Sequence, residues 1–306
     1  MPAEAGVPSQ RLLPVVLGLF ALSGAAGLIY EIVWLQLLQL VIGSSAVSLA
    51  VLLGTYMGGM CLGSIFFARF VRANRNPLRV YAALEIGTGV FGALVLFVLP
   101  LVEHLYTAGV SHGLPSMILR GIACAVCLLP PTLLMGATLP AMSRWVAGTP
   151  HAAAWWGSLY GSNIVGGVAG CFGAGFYLLR VHDMTFATGV AALLNVVVAV
   201  VAVGMRRSGA APDEPREQPA TASDSRAIYF AIGLSGLCAL GAEVVWTRIL
   251  SLMLGPTVYT FSIILGVFLI GLGLGSAAGS RISHVRDNPR VWFGASQLLL
   301  CVAVAW

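Results

Sequence analysis

Long apolar runs dominate this sequence and decide what the chain can fold into. A helix of about 20 apolar residues spans the hydrocarbon core of a bilayer, and such runs recur from end to end. They predict nine helices: 12–42, 46–70, 78–101, 117–143, 154–179, 184–205, 227–253, 258–282 and one from near residue 290. Only 9% of the residues are charged, whereas a soluble domain carries about 25%. The sequence therefore predicts an all-α, polytopic transmembrane helix bundle with the lipid bilayer as its partner.

The same composition excludes other classes of protein. Disordered chains, disulfide-rich secreted modules and nucleic-acid binders need polarity, dense cysteine or a basic face, which this chain lacks. Cys124 and Cys127 have redox or metal spacing, but their apolar run holds no partnering Cys or His, which favours packing. No histidine spacing fits zinc, and no Walker loop or GxSxG elbow is present. We expect no catalytic residue, metal, cofactor or nucleic-acid partner.

Arginine placement predicts the orientation. All 16 cationic residues are arginine, and 13 lie near the N-terminus or after predicted helices two, four, six and eight. The positive-inside rule then puts residues 1–11 in the cytoplasm of a multi-pass protein of the bacterial cytoplasmic (inner) membrane. The polar stretch 206–226 is predicted to be a flexible cytoplasmic linker. As an alternative, Arg11 and the apolar run after it resemble a signal peptide, although the same segment recurs internally.

An internal repeat is the most informative pattern. Residues 22–94 align with 234–306 at a constant offset of 212, with 22 of 73 positions identical, against about 8% expected by chance. Six predicted helices separate equivalent positions, so the two copies enter the membrane in the same direction, as in major-facilitator (MFS-like) transporters. We therefore expect residues 12–205 to form one six-helix half. Residues 227–306 would be the truncated start of a second half, so that the chain either continues further or is a fragment.

Two glutamates occupy equivalent places in this repeat. Glu31 and Glu243 lie inside predicted helices one and seven, where a carboxylate is costly unless it is paired, protonated or facing water. In a facilitator-like arrangement these helices face each other across a central cavity. We hypothesise that the pair binds a cation or relays a proton. The alternative is that each carboxyl is protonated or bonded to a neighbouring helix and closes the two halves together.

Five further residues complete the predicted substrate-binding set. Trp34 and Trp246 follow the glutamates by three residues, either as aromatic lids on the acids or as interfacial anchors. Arg248 either pairs with a cavity carboxylate or snorkels to the interface. Glu85 and Asn163 are intramembrane polar groups, each either a ligand or an interhelical hydrogen-bonding group.

Glycine and proline patterns predict local packing. Close-packing seams are expected at Gly residues spaced by four: Gly59/Gly63, Gly157/Gly161, Gly166/Gly170 and Gly271/Gly275. Three prolines, Pro130, Pro131 and Pro140, predict that helix four is bent or broken.

Several blocks together resemble a known family. The repeated S-G…E-x-V-W block, GGMCLGS and GLGLGS, and MGATLPAMSRW followed by GSLYGSNIVGGVAGCFGAGFYLL resemble the membrane part of bacterial fused facilitator-type transporter and spermidine synthase proteins. The resemblance covers nearly the whole chain from about Leu12. It implies a cytoplasmic aminopropyltransferase-like domain after the membrane helices. No Gly-rich nucleotide loop of such a domain occurs before Trp306, so any transferase activity would come from a missing domain.

Two functions follow as expectations. In the first, the chain is a transporter-like module associated with a spermidine-synthase-like protein and handles a small cationic metabolite or a proton through the cavity of Glu31 and Glu243. In the second, it is a membrane anchor or scaffold for a downstream polyamine aminopropyltransferase domain and transports nothing.

Overall fold

The chain is a bundle of long helices. The structure, a computed structural model, describes residues 12–43, 45–70, 76–107, 114–146, 152–205, 225–285 and 289–305. Their helices are α1 (Leu13–Ile42), α2 (Ser45–Phe70), α3 (Pro77–Thr107), α4 (Leu114–Val146), α5 (Ala152–Gly173), α6 (Met184–Gly204), α7 (Ser225–Leu254), α8 (Val258–Val285) and α9 (Pro289–Ala305). After Gly173, α5 continues through a π-helical turn (Ala174–Leu178) and a last α-helical turn (Leu179–Val181).

The predicted all-α polytopic architecture is confirmed. The helices α1 to α8 each contain a segment long and apolar enough to cross a membrane, and α9 carries a shorter apolar segment, Val291–Val304. Helices suit this solvent because they satisfy every backbone hydrogen bond within one segment, which the bilayer core cannot do. The chain is therefore an integral, multi-pass membrane protein.

Helix ends follow local sequence signals. The α1 and α7 helices end at Gly43 and Gly255, which have φ of 83° and 89° and occupy equivalent places in the repeat. Glycine suits this left-handed conformation because it has no Cβ to clash with the following carbonyl. Asp183 caps α6 by accepting a 2.8 Å hydrogen bond from the Phe186 amide. Asn76 likewise accepts a 3.1 Å bond from the Leu78 amide at the start of α3.

The first six helices pack in a symmetric pattern. The most extensive pairs are α2 with α4, α1 with α5, α3 with α4, α3 with α6, and α1 with α6. Exchanging α1 with α4, α2 with α5 and α3 with α6 maps this set of pairs onto itself. The second copy joins the bundle chiefly where α8 packs on α5. Half of the α1 span is buried, against 11% of the α7 span, so α1 is the central helix.

Glycines bring α1 and α5 into close backbone contact. A Cβ placed on Gly166 would overlap the backbone of Ala21, and one on Gly170 would overlap that of Ala25. Gly24 likewise lies against the backbone of Asn163. A larger residue at any of these positions would push the two helices apart.

The pair related by the exchange, α2 and α4, is built in the same way. A Cβ on Gly59 would overlap Thr132, and one on Gly63 would overlap the backbone of Leu133. Both helix pairs therefore approach through small residues, as is usual for membrane helices.

Two predicted seams are not present among the described residues. A Cβ on Gly157 or Gly161 of α5, or on Gly271 or Gly275 of α8, would meet no described atom within 4 Å. These glycines lie on helix faces that no described neighbour covers.

Helix four was predicted to be bent or broken, and the prediction of a break is wrong. The α4 helix runs without interruption from Leu114 to Val146 with all three prolines inside it. Thr132 donates hydrogen bonds to the carbonyls of Leu128 (2.9 Å) and Leu129 (3.0 Å). These bonds go to carbonyls next to the Pro130–Pro131 pair, whereas the carbonyls that lose an amide donor to these two prolines are those of residues 126 and 127.

Much of the orientation prediction lies outside the described residues. That applies to Arg11, Arg72, Arg75, Arg206, Arg207, Arg216 and Arg286, to the N-terminal segment 1–11 and to most of the predicted linker 206–226. The last two linker residues, 225 and 226, already belong to α7. The predicted side of the membrane and the domain boundaries stay predictions.

Candidate functional site

Glu31 of α1 and Glu243 of α7 are the central pair of the candidate site. Their side chains are 1% and 2% exposed, and Glu243 lies within electrostatic range of Glu31. In each carboxyl group, Oε1 is buried without a hydrogen-bond partner. The structure therefore brings together two carboxyl groups that the repeat places at equivalent positions, and it leaves each with an unused oxygen.

Other buried polar atoms without a hydrogen-bond partner lie on α1, α7 and the neighbouring α8. They include Trp34 Nε1 on α1, Thr247 Oγ1 on α7 and Ser262 Oγ on α8. Buried polar groups in proteins are nearly always paired, so each exception requires an explanation such as a bound water, ion or ligand. Two of these atoms lie one turn from a glutamate on its own helix.

Two further helices contribute groups close to Glu31. Tyr56 of α2 and Cys171 of α5 are both within electrostatic range of its carboxyl. The Cys171 thiol donates a 3.2 Å hydrogen bond to the carbonyl of Ser262 on α8. The glutamate pair is therefore enclosed by α1, α2, α5, α7 and α8, where the two repeat copies meet.

The two equivalent tryptophans have different surroundings. Trp34 is 1% exposed, stacks on Tyr30 (ring centroids 5.4 Å apart, 20° between planes) and contacts the ring of Tyr56 edge-on at 6.3 Å. Trp246 is 39% exposed and lines an apolar groove of about 470 Å³ between α7 and α8. Burial places Trp34 in the bundle core, so interfacial anchoring is wrong for this residue.

Glu85 lies in a separate, fully bonded network. Its Oε1 accepts a 2.6 Å hydrogen bond from Ser23 of α1, and its Oε2 accepts a 2.7 Å bond from Asn195 Nδ2 of α6. Tyr30 of α1 donates to Asn195 Oδ1 at 3.1 Å. This network ties α1, α3 and α6 together. A substrate-binding role for Glu85 stays a prediction.

The second repeat copy reproduces one bond of this network. Ser235 donates to Gln297 at 3.3 Å, and both residues sit 212 positions after Ser23 and Glu85. The first and third helices of each copy are thus joined by the same pair of positions, with an amide in place of the carboxylate.

The remaining predicted residues are Asn163 and Arg248. Asn163 Nδ2 donates a 3.2 Å bond to the carbonyl of Phe20, which joins α5 to α1. Arg248 is exposed on α7. The proposed ligand roles of both residues stay predictions.

A polar cavity lies between the ends of α1 and α7 near the start of α8. Its volume is about 100 Å³, and its polar lining comes from Gln36 and Gln39 of α1, Thr247 and Ser251 of α7, and Thr257 before α8. Thr247 is one helical turn from Glu243, so the cavity begins about one turn from the glutamate pair.

Sequence reasoning missed several of these elements. The position of Thr247 near Glu243 could have been predicted, because it stands four residues later and so lies on the same helix face. Tyr30 and Asn195 are 165 residues apart, and no local pattern predicts their contact. The π-helical turn after Gly173 also had no recognised signal, although such turns often mark functional places.

Within the described residues, no group of three or more His, Cys, Asp or Glu side chains could hold a metal ion. Comparison with protein-family models, with curated proteins and with solved structures gives no match.

Proposed function

We propose that this chain is a transporter-like membrane module in which Glu31 and Glu243 bind a small cation or relay a proton between two helical repeats. The observation that carries the proposal is the pair itself, buried, mutually close and left with an unpartnered oxygen on each side. Ionisable groups inside a membrane bundle usually mark an ion or substrate pathway because burying them is costly.

A comparison within the chain strengthens this argument. Glu85 is equally buried at 1% exposure, yet both of its oxygens accept hydrogen bonds. A carboxyl group that serves only to hold helices together is expected to look like Glu85. Unused oxygens at Glu31 and Glu243 are instead suited to an exchangeable partner such as a proton, a water or a cation.

The helix arrangement supports a facilitator-like fold for this module. Major facilitator halves are built from inverted three-helix repeats, and the two halves are related as parallel repeats. The packing of α1 to α6 maps onto itself under the exchange of α1–α3 with α4–α6. The glycine ends at Gly43 and Gly255 and the Ser–Glu and Ser–Gln bonds repeat in parallel 212 residues apart. We propose an inner-membrane location with a cytoplasmic N-terminus.

The resemblance to fused transporter and spermidine synthase proteins extends the proposal to a partner. It adds a cytoplasmic aminopropyltransferase-like domain and makes small polyamines the solutes to test first. The alternative is an anchor or scaffold for that domain without transport. It is favoured by the burial of both carboxyl groups, since neutral, protonated carboxyl groups there would help to close the interface of the two copies.

Flux through the reconstituted chain distinguishes these functions. The wild type, the double variant Glu31→Gln/Glu243→Gln and the control Glu85→Gln are placed in liposomes. Proton uptake is followed with an internal pH-sensitive dye, and labelled putrescine or spermidine by counterflow. Glu85→Gln is a matched control because Gln297 already takes that place in the second copy.

We expect saturable flux in the wild type and in Glu85→Gln, and its loss in the double variant. Flux retained in the double variant would contradict a role for the pair. No saturable flux of any probe in the wild type would favour the anchor.

A further inference from the structure

One residue of the polar cavity at the ends of α1 and α7 stands one helical turn from the glutamate pair. Thr247 lines the cavity and is 7% exposed, and its hydroxyl has no hydrogen-bond partner. Glu243, Thr247 and Ser251 are spaced by four residues, so they follow one face of α7. The face therefore runs from the buried carboxyl, through a buried hydroxyl, to a hydroxyl in the cavity wall.

The first repeat copy lacks this feature. The positions equivalent to Thr247 and Ser251 are Leu35 and Gln39. An apolar side chain thus stands between Glu31 and the cavity on α1, and only α7 offers a hydroxyl next to its glutamate. A route from the cavity along these helices would therefore reach Glu243 before Glu31.

The size of the cavity limits what it can admit. A volume of about 100 Å³ corresponds to about three waters at roughly 30 Å³ each. Pockets for drug-sized ligands measure about 300–1,000 Å³, so the cavity is well below that size. Its polar lining consists of neutral amides and hydroxyls without a carboxylate, which suits waters better than a tightly held metal ion.

The turn between α7 and α8 holds the cavity wall in place. The Gly255 carbonyl accepts hydrogen bonds from the Thr257 amide and from Thr260 Oγ1, both at 2.9 Å. Thr257 and Thr260 also share a hydroxyl–hydroxyl bond of 3.1 Å. These bonds fix the position of Thr257, which forms part of the cavity wall.

We propose that the cavity is the entry for protons to the glutamate pair, from the membrane surface at which α1 and α7 end, with Thr247 as the relay. A hydronium ion in the cavity gives a proton to the Thr247 hydroxyl oxygen, and the hydroxyl passes its own proton to the Glu243 carboxylate. Water is left behind, and the carboxylate becomes a carboxylic acid. The inference rests on the proposed function and names its ion and entrance.

Other titratable groups surround the pair from neighbouring helices. Glu31 of α1, Tyr56 of α2 and Cys171 of α5 lie near it. Arg248, which follows Thr247 on α7, is exposed and does not belong to the cavity lining. Thr247 is the hydroxyl that both lines the cavity and lies one turn from an acid of the pair.

Cysteine accessibility tests the entrance without any measurement of transport. In a variant with its six cysteines replaced by serine or alanine, Thr247→Cys is exposed to Ag⁺, a small thiol-binding cation, from either side of oriented vesicles. Remaining free thiols are then labelled with a fluorescent maleimide after solubilisation. Ile249→Cys is the matched control, since it is nearer the end of α7 and 49% exposed on an apolar face.

We expect Ag⁺ to block Thr247→Cys faster than Ile249→Cys, and only from the side at which α7 ends. Equal rates, or access only from the opposite side, would overturn the proposed entrance.

A second measurement tests the relay. Infrared spectra of the reconstituted chain follow deuterium exchange of the buried carboxyl groups after D₂O is added. Thr247→Val should slow this exchange by about 100-fold, the low end of what a positioned proton-transfer group contributes, and Thr247→Ser should restore it. Equal exchange in Thr247→Val and the wild type would overturn the relay. If Thr247→Cys reacts with Ag⁺ as expected but the wild-type chain shows no flux, the proposed entrance is supported and the proposed transport is contradicted.

Discussion

Replacing each of the two equivalent tryptophans with alanine should have very different effects on stability. Trp34 is fully enclosed and contacts two aromatic rings, Tyr30 and Tyr56. Each aromatic pair contributes about 0.5–1.5 kcal/mol beyond its buried area, and truncating a buried tryptophan to alanine costs about 3–5 kcal/mol in total. We therefore expect Trp34→Ala to lower the free energy of unfolding by about 3–5 kcal/mol.

Trp246→Ala is the internal control for this prediction. Trp246 is 39% exposed, and in the alanine variant lipid of similar apolarity would fill the place of its ring. We therefore expect Trp246→Ala to lower the free energy of unfolding by about 1 kcal/mol or less. Both variants are compared with the wild type by reversible unfolding with sodium dodecyl sulfate, monitored by circular dichroism in bicelles. Equal losses for the two variants would refute the reasoning, because it derives the difference from burial and ring contacts alone.

Two further predictions concern contacts between helices. Gly166→Val should destabilise the bundle by about 1–3 kcal/mol, since its side chain would overlap the backbone of Ala21. Gly157→Val on the same helix should change stability by about 0.5 kcal/mol or less. Equal effects of the two variants on the unfolding curve would be inconsistent with the observed packing. Glu85→Gln should fold with nearly unchanged stability. Glu85→Leu leaves the donors of Ser23 and Asn195 unpaired and should lose about 1–3 kcal/mol for each of them. If Glu85→Gln were as unstable as Glu85→Leu, the network would need the charge of the carboxylate.

The helices and their ends could be predicted from sequence because the bilayer allows few solutions. A spanning segment must be helical to satisfy its backbone, and the predicted and observed bounds differ by only a few residues for most helices. The repeat also predicted that Gly43 and Gly255 are equivalent, and both take the same left-handed conformation.

The surroundings of individual side chains could not be predicted in this way. The repeat places Trp34 and Trp246 at equivalent positions, but the partners of Trp34 have changed in the second copy. Tyr30 corresponds to Ala242 and Tyr56 to Phe268, so the stacking ring is absent from α7. The repeat therefore determines where each tryptophan lies along its helix, whereas the residues around it determine its contacts.

Equal depth in helices one and seven predicts that the two glutamates face each other, and Glu243 lies within electrostatic range of Glu31. What could not be foreseen is the difference between carboxyl groups, since Glu85 finds donors on two other helices and the pair does not. Contacts between residues more than 60 positions apart decide this, and no local pattern encodes them.

Infrared spectroscopy of the reconstituted chain tests the central claim most directly, that Glu31 and Glu243 exchange protons or cations with the solution. The carboxyl band is recorded while the pH and then the cation in the surrounding buffer are changed. We expect a component of this band to respond in the wild type and in Glu85→Gln and to be missing from the response of Glu31→Gln/Glu243→Gln. An identical response in the wild type and the double variant would contradict exchange by the pair.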